Sequence, residues 1–449
     1  MKRLSAATSN LALDVEVPSY DRSAPPSIVH LGVGAFARAH LAVYADDLLR
    51  AGQPAAVGGV SLRTPRAEEQ LGPQDGLFTV TEREPSKEPV IRMVASLTSV
   101  ATGAAAAVEA IARPTTTLVT LTVTEKGYER AGPSATPAVL VAALDARRRL
   151  TDDSLVVASL DNLTDNGSVL RAAVLQLAEQ VDDELAAWVS GHVRFPRSVV
   201  DRMVPATSDA DRFEVGARLG LRDEAATITE AHRSWVIDRV EGLPALGDVG
   251  VQVVPDVTPY QQRKLWLLNL PHSALAYCGI LAGHRTVADA AADPVIAAFV
   301  RGLVEEALEV VSAGDLESAA FAADSMRRFS NAALGHTCVQ VGADGSRKLA
   351  QRAVPVMERR RARGLGQRHL DLVVAAWLAA LTGTAAAARP LPPVDDPAAP
   401  AVRDALRDRG LEAALVAAFG EGDVAQHAAS IERAYRRVVQ VGLRAIEDA

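Results

Sequence analysis

The run Tyr260-Gln261-Gln262-Arg263-Lys264-Leu265-Trp266-Leu267-Leu268-Asn269-Leu270-Pro271-His272 sets an amine, an amide and an imidazole among leucines and a tryptophan. On an ideal helix turning about 100° per residue, Asn269 lies about 140° and His272 about 80° round from Lys264, so the three share one broad face. Apolar walls keep a cleft lined by such a face partly dry. Desolvation disfavours an ammonium, so a lysine held there can act as a base near neutral pH. Pro271 lacks an N–H, crowds the carbonyl of Leu267 and biases Leu270 away from helical angles, which predicts a kink or an end of the helix between Asn269 and His272. On spacing alone the plainer account is the better one: an amphipathic helix with Lys264 in solvent and Asn269 and His272 as local caps.

A second constellation lies near the start of the chain. Ser27 to Leu31 reads as a strand, Gly32-Val33-Gly34-Ala35-Phe36-Ala37 fits G-x-G-x-x-G/A, and Ala35 to Arg50 carries Leu41, Tyr44, Leu48 and Leu49 at helical spacing. In a strand–turn–helix unit of this kind the first glycine allows the tight turn and the second lets the backbone approach a pyrophosphate. The small Ala37 lets helix pack on strand. Gly32, Gly34, Ala35 and Phe36 are therefore candidate cofactor-binding residues, although a ligand-free glycine turn explains the pattern equally well by itself. The next strand ends near Leu62 and is followed by Arg63-Thr64-Pro65-Arg66, not by the acid that accepts bonds from a ribose 2′-OH. Arg63 there tolerates a 2′-phosphate, which keeps NADP open beside NAD.

The elements that position these residues follow from the pattern. Strand candidates at Val57 to Leu62, Phe78 to Glu82, Val90 to Leu97, Leu118 to Thr122 and Leu155 to Leu160 alternate with helical runs near 102–112, 136–149 and 167–190. Such alternation implies a parallel sheet covered on both faces. Beyond about Val253 the chain turns to Ala- and Leu-rich helical stretches (290–313, 316–330, 368–382, 401–419), with Arg389 to Pro400 as a long loop. The expected fold is an α/β Rossmann-type domain over residues 1–255 followed by a mostly α-helical domain over 256–449, since 449 residues exceed what one core usually serves. A net charge of −8 offers no attraction to phosphate backbones or anionic lipids, so neither nucleic acid nor a membrane is the expected partner. Cys278 and Cys338 are too few for a disulfide framework or a cysteine-built zinc site. His192, His284 and His427 are scattered without metal-ligand spacing, so no metal is expected. A cytoplasmic protein, monomeric or a small homo-oligomer, is the expectation.

Several segments together carry a resemblance. Lys264, Asn269 and His272 resemble the K-x4-N-x2-H signature of the long-chain mannitol dehydrogenase family, which includes mannitol 2-dehydrogenases, arabinitol dehydrogenases and hexuronate reductases. Gly32 to His40 (GVGAFARAH), Leu121 to Tyr128 (LTVTEKGY), Leu160 to Gly167 (LDNLTDNG), Phe195 to Thr207 (FPRSVVDRMVPAT), Trp235-Val236-Ile237 and Asp344 to Arg352 (DGSRKLAQR) agree in the same order, across nearly the whole chain. The resemblance implies metal-free oxidation of a secondary alcohol with NAD as first choice. Lys264 takes the hydroxyl proton, Asn269 and Asn162 donate to the oxygen that becomes negative, and His272 orients the substrate. Asn162 also reads simply as a turn residue after Asp161, but it stands at the carboxyl end of a strand, where open α/β sheets bind ligands. Two positions depart from the family pattern: Gln261 where a glutamate is common, and Leu270 where glycine is frequent. His40 is expected to cap or pack. Glu125-Lys126-Gly127-Tyr128 looks more like the branch acting on hexuronates and their aldonates, and a cation at Lys126 or Lys348 would pair with a carboxylate. Lys348, Lys126 and Asp201 are thus the candidate substrate contacts, with D-mannonate and D-fructuronate ahead of mannitol and fructose, and arabinitol behind. Two other readings stand beside this one. One is a mannitol-1-phosphate type of enzyme using Arg347, Lys348 and Arg352. The other is a dinucleotide-binding sensor that does no chemistry.

Overall fold

The computed structural model describes the chain apart from residues 14, 124, 129–131, 133, 312–315, 387–389, 423–425 and 448–449, together with the side chains of 125 and 126. The Lys126 side chain therefore lies outside the described residues. Two compact units emerge, Met1–Val257 and Thr258–Ala449.

In the first unit the apolar runs become strands β1 (Ile28–Leu31), β2 (Val57–Ser61), β3 (Phe78–Glu82), β4 (Val90–Val94), β5 (Leu97–Thr102) and β6 (Leu118–Leu121). After them come β7 (Leu155–Ser159), β8 (Val193–Arg194), β9 (Ser198–Asp201), β10 (Thr227–Thr229), β11 (Ser234–Asp238) and β12 (Gln252–Val254). A six-stranded sheet runs in the order β5-β2-β1-β6-β7-β8 with every neighbouring pair parallel. β1, β6 and β7 are buried along their whole length, as strands covered on both faces must be. Alternate residues serve opposite faces. Val29, Leu31, Val119 and Val157 pack with Ile111, Leu140, Leu144, Leu170 and Val174 from the helices Ala104–Ala112, Thr136–Arg147 and Asn166–Val181. Ile28, Val57, Leu118 and Val156 pack on the other side with Leu41, Tyr44 and Leu48. The fold is the parallel-sheet Rossmann type that the strand–helix alternation predicts.

The run expected as one strand, Val90 to Leu97, serves two sheets. β4 pairs antiparallel with β3 in the small sheet β10-β3-β4, whereas β5 joins the edge of the main sheet beside β2 and extends to Thr102. The exchange occurs at Ala95-Ser96, where the Ala95 N–H donates to Asp46 and Ser96 Oγ donates to the Ala42 carbonyl. Several helical runs are likewise split. The helix beginning at Ala35 stops at Ala39 and restarts at Leu41, because His40 leaves helical angles (φ −115°, ψ −82°). Asp182 (φ −171°) ends one helix and caps Asp183–His192, and Gly410 (φ +90°) separates Ala399–Arg409 from Leu411–Phe419.

The second unit contains helices and, among the described residues, no strand. Its most deeply buried helices are Leu270–Ala282 and Arg368–Thr382, the second with nearly every residue from Leu370 to Leu381 inside. The continuous helical stretch Thr258–Ala282 has the length and apolarity to cross a membrane, but 83% of its most apolar window is buried inside the protein. Its hydrophobicity is that of a core helix. Of the loop expected from Arg389 to Pro400, residues 390–398 lie outside helix and strand, Arg389 lies outside the described residues, and Ala399 and Pro400 open the helix Ala399–Arg409.

Candidate active site

A cavity of about 610 Å³ opens at the carboxyl ends of β1, β2 and β6. The chain leaves β1 toward β2 on one side, while β6 lies on the other, so this is the point where strand order reverses and open sheets bind ligands. Gly32 has φ +99°, and a Cβ there would stand 2.3 Å from the Thr122 carbonyl oxygen, so only glycine makes the turn. Gly34 differs. It has φ −83° and ψ −178°, open to any residue, and a Cβ on it would meet nothing nearer than Gly32 O at 4.0 Å. Its bareness serves no contact within the protein, and the space it leaves is cavity. Gly59 in β2 gives room to the turn itself: a Cβ there would lie 2.7 Å from Val33 Cγ2.

Beneath the turn is a residue that motif reasoning passed over. His30, 1% exposed, bonds Thr120 Oγ1 through Nδ1 (2.8 Å) and both Gly32 O (3.1 Å) and Thr122 Oγ1 (3.0 Å) through Nε2. A carbonyl only accepts, so Nε2 carries the proton. Burial pushes the imidazole pKa down to about 4, which keeps the ring neutral. Gly32 O also accepts from Thr122 Oγ1 (2.8 Å) and the Gly34 N–H (2.7 Å), so three donors pin one carbonyl and with it the turn. Only a histidine inside a strand pattern, where an aliphatic residue was due, signalled this in the sequence.

Arg63 and Arg66 line the cavity after the end of β2, together with Arg38 and Arg212, and Glu224 is the one carboxylate among the described lining residues. Ala35 lines it too. Phe36, expected beside the cofactor, does not: its ring stacks on His40 at 5.0 Å. His40 is fully buried between Phe36, Tyr44 and Trp235 and bonds the Ser234 carbonyl, a packing role.

At the ends of β6 and β7, Asp161 accepts from Tyr128 Oη (2.8 Å) and the Val123 N–H (3.3 Å), while Asn166 Nδ2 bonds the carbonyls of Ser159, Asp161 and Ser198. This network ties the loop after β7, on whose exposed side Asn162 sits. Asp201, buried at the end of β9, faces His232 Nε2 at 3.4 Å and does not line the cavity.

In the second unit Thr258–Lys264 is α-helical, Leu265–Asn269 is a π-helical turn, and Leu270–Ala282 resumes as α-helix. The Leu270 N–H donates to Leu265 O, an i→i+5 bond. The predicted kink or end between Asn269 and His272 is absent; the irregularity lies one turn earlier. Pro271 explains the shift, because it cannot donate to Leu267 O and its ring crowds that carbonyl in a regular helix. The wide turn also realigns the side chains. At roughly 82° per residue through an ideal π segment, Asn269 comes to about 50° on one side and His272 to about 10° on the other side of Lys264, so the three share a narrower face than a regular helix would give them.

Asn269 is 6% exposed, and its Nδ2, a donor, is buried without a hydrogen-bond partner among the described residues; His272 Nε2 is likewise buried and without one. Buried unsatisfied polar groups are rare, and two on one helix face call for an outside partner. The helix backbone is braced beside them: Arg352 Nη1 donates to Asn269 O (3.0 Å) and Ser273 Oγ (2.8 Å). His272 stacks on Phe329 at 4.9 Å, with the His336 ring at 6.1 Å. Its pKa is held well below the ordinary histidine value, first by burial and then by the positive charges of His336, Arg352, Lys348 and Arg328. Lys348 Nζ donates to the Val341 carbonyl at 3.1 Å. It stands one turn before Arg352 on the helix Gly345–Arg352, whose first turn is tied by bonds from Ser346 N–H and Oγ to Asp396. Gly345 lets that helix close in, since a Cβ there would stand 2.3 Å from Trp377 Nε1. Gln261 is buried (8%), and Leu270 is fully buried in the core. Among the described residues no group of three or more His, Cys, Asp or Glu is arranged to hold a metal ion.

Residues 26–246 match the model of the mannitol dehydrogenase Rossmann domain, and residues 256–441 match that of the mannitol dehydrogenase C-terminal domain. The chain belongs to the mannitol dehydrogenase family. It is 37% identical to D-mannonate oxidoreductase of Escherichia coli (strain K12), over 82% of each chain. It is 36% identical to mannitol 2-dehydrogenase of Cereibacter sphaeroides, over 95% of this chain and 98% of that one. Mannitol 2-dehydrogenase of Pseudomonas fluorescens, solved as a ternary complex with NAD and D-mannitol, superposes with a TM-score of 0.89 at 30% identity over 99% of both chains. Membership makes this an oxidoreductase acting on CH–OH groups of polyols or sugar acids, with a dinucleotide-binding domain of the Rossmann type. Similarity to relatives named for both a sugar acid and a hexitol leaves the substrate to the chemistry of the site.

Proposed function

We propose that this mannitol dehydrogenase family member interconverts a secondary alcohol of an aldonate and the matching keto acid, D-mannonate and D-fructuronate before mannitol and fructose. Met1–Val257 is the cofactor-binding unit and Thr258–Ala449 the substrate-binding and catalytic unit. The observation that carries the reading is the pair of buried nitrogens, Asn269 Nδ2 and His272 Nε2, that find no hydrogen-bond partner among the described residues, on the Lys264 side of the helix and among cationic side chains. A neutral imidazole within the field of Arg328, His336, Lys348 and Arg352 is an environment complementary to a carboxylate, which a neutral polyol leaves uncompensated.

Gly32, Gly34, Ala35 and Arg63 would hold NAD, whose nicotinamide, when bound, supplies the hydride acceptor. Lys264 takes the hydroxyl proton as general base. Asn269 donates to the oxygen that gains charge, a preorganised donor of the oxyanion-hole kind. His272, unprotonated, bonds a neighbouring hydroxyl and fixes which carbon reacts. Asn162, presented at the carboxyl end of the sheet, is assigned as a further amide donor to the substrate, and Lys348 as partner of its carboxylate. Lys126 and Asp201 are assigned as further substrate contacts, Asp201 beside His232. NADP is the second reading for the cofactor, favoured by the arginines at the end of β2.

A panel of aldonates, hexitols and pentitols and their phosphates, followed by nicotinamide absorbance with NAD and with NADP, tests the proposal. Mannonate should be turned over faster than mannitol, and Lys348→Ala should lower kcat/KM for the acid by about 10- to 100-fold, the range of a lost charge-assisted bond, with a smaller loss on hexitols. Equal losses on both, or far faster oxidation of mannitol by the unaltered enzyme, would end the acid reading. The lysine base needs no metal, so activity should survive prolonged dialysis against a chelator. Loss of activity with recovery on added zinc would overturn that part of the mechanism.

A further inference from the structure

We infer that Arg38 is the counter-charge for the phosphates of the dinucleotide, a cofactor-binding residue that the glycine motif does not include. The inference rests on the reading that the cavity beside Gly32 and Gly34 holds such a cofactor. Arg38 lines that cavity yet is only 9% exposed. Its bonds within the protein are long and go to neutral oxygens: Nε to Thr227 Oγ1 (3.2 Å) and Nη1 to Val33 O (3.4 Å). Among the described residues no carboxylate forms an ion pair with it, and Nη2 bonds no protein acceptor. The acid whose charge it feels most is Asp223, and that carboxylate is already committed to Gln74, to the N–H and hydroxyl of Thr79, and to the Ala225 N–H.

A buried guanidinium without an anion is destabilising, and a mere scaffold role between Val33 and Thr227 could be filled without a charge. Burial and the neighbouring Arg66 and Arg212 all disfavour its charged form, moving its pKa down to about 10, which still leaves it a cation at neutral pH. The missing anion has a natural source in the cavity. A pyrophosphate seated over the bare Gly34 comes within the field of Arg38, and planar guanidinium is well matched to phosphate oxygens. The same group that weakens the empty protein therefore strengthens the loaded one.

The opposed signs make the test. Arg38→Met, which keeps the apolar stem and removes the charge, is measured in the full chain without cofactor for its melting temperature, and by fluorescence titration for NAD and NADP. The dissociation constant should rise about 10- to 100-fold, the span of a lost charge-assisted hydrogen bond, while the ligand-free melting temperature stays level or rises. Arg38→Lys should recover part of the affinity. Affinity for the variant should also depend less on salt than that of the unaltered protein. An unchanged dissociation constant in Arg38→Met, or a melting temperature that falls with the affinity, overturns the inference. If the unaltered protein binds neither NAD nor NADP, the dinucleotide reading fails first and takes this one with it.

Discussion

Lys264→Ala is expected to lower kcat by about 10²- to 10⁴-fold, the usual contribution of a positioned general base. The residue closes the Thr258–Lys264 helix, and the π turn that follows brings Asn269 and His272 round above it. Each of those two presents a buried nitrogen with no hydrogen-bond partner among the described residues. In that arrangement the amine is the member of the group able to accept a proton, because His272 is fixed among cations and Asn269 does not titrate. The substitution should leave the dissociation constant for NAD unaltered, since the candidate dinucleotide cavity is lined by residues from Gly32 to Ala226. Near-normal turnover of the variant at its own optimum pH would refute the assignment.

Gly34→Val should weaken cofactor binding about 5- to 150-fold, the equivalent of the ~1–3 kcal/mol that an extra branched side chain costs when forced into an occupied space. The protein itself tolerates the change, because the backbone at Gly34 is extended and its Cβ position is empty to 4.0 Å. The melting temperature of the ligand-free protein should therefore hold. Gly32→Ala is the contrasting variant. With φ +99° and a carbonyl oxygen 2.3 Å from the new Cβ, it should lower stability and binding together. A Gly34→Val protein that binds NAD normally would remove the pyrophosphate from this turn.

Much of the first unit was legible from local pattern. β1, β6 and β7 are short, mostly aliphatic runs of strand length, and buried parallel strands have that composition, so a period count and a glycine turn were sufficient. Where a run was split, the deciding event was a partner elsewhere in the chain. Nothing in Val90 to Leu97 tells that its first half pairs with β3 and its last residue with β2. Nothing in the periodic stretch after Ala35 tells that His40 leaves the helix to pack against Trp235, nearly two hundred residues on. Pro271 marks the strained place in the sequence but not its relief, because a helix can widen as well as break, and which it does depends on what surrounds it.

The residue types of the candidate site were already determined by the sequence: a lysine, an amide and an imidazole at fixed intervals on one helix, and a glycine turn after the first strand. Those are local relations, and helix and strand geometry turn them directly into shared faces. The charge and hydrogen-bonding state of these groups was decided only by the tertiary structure. His272 is neutral because the fold buries it and gathers His336, Lys348, Arg352 and Arg328 round it from other parts of the chain. Asn269 is held by a bond from Arg352, 83 residues away, and Gly32 by bonds from His30 and from Thr122, the two 92 residues apart. Coulomb and hydrogen-bond energies depend on distance in space, and separations of that length along the chain carry no periodicity from which such distances can be read.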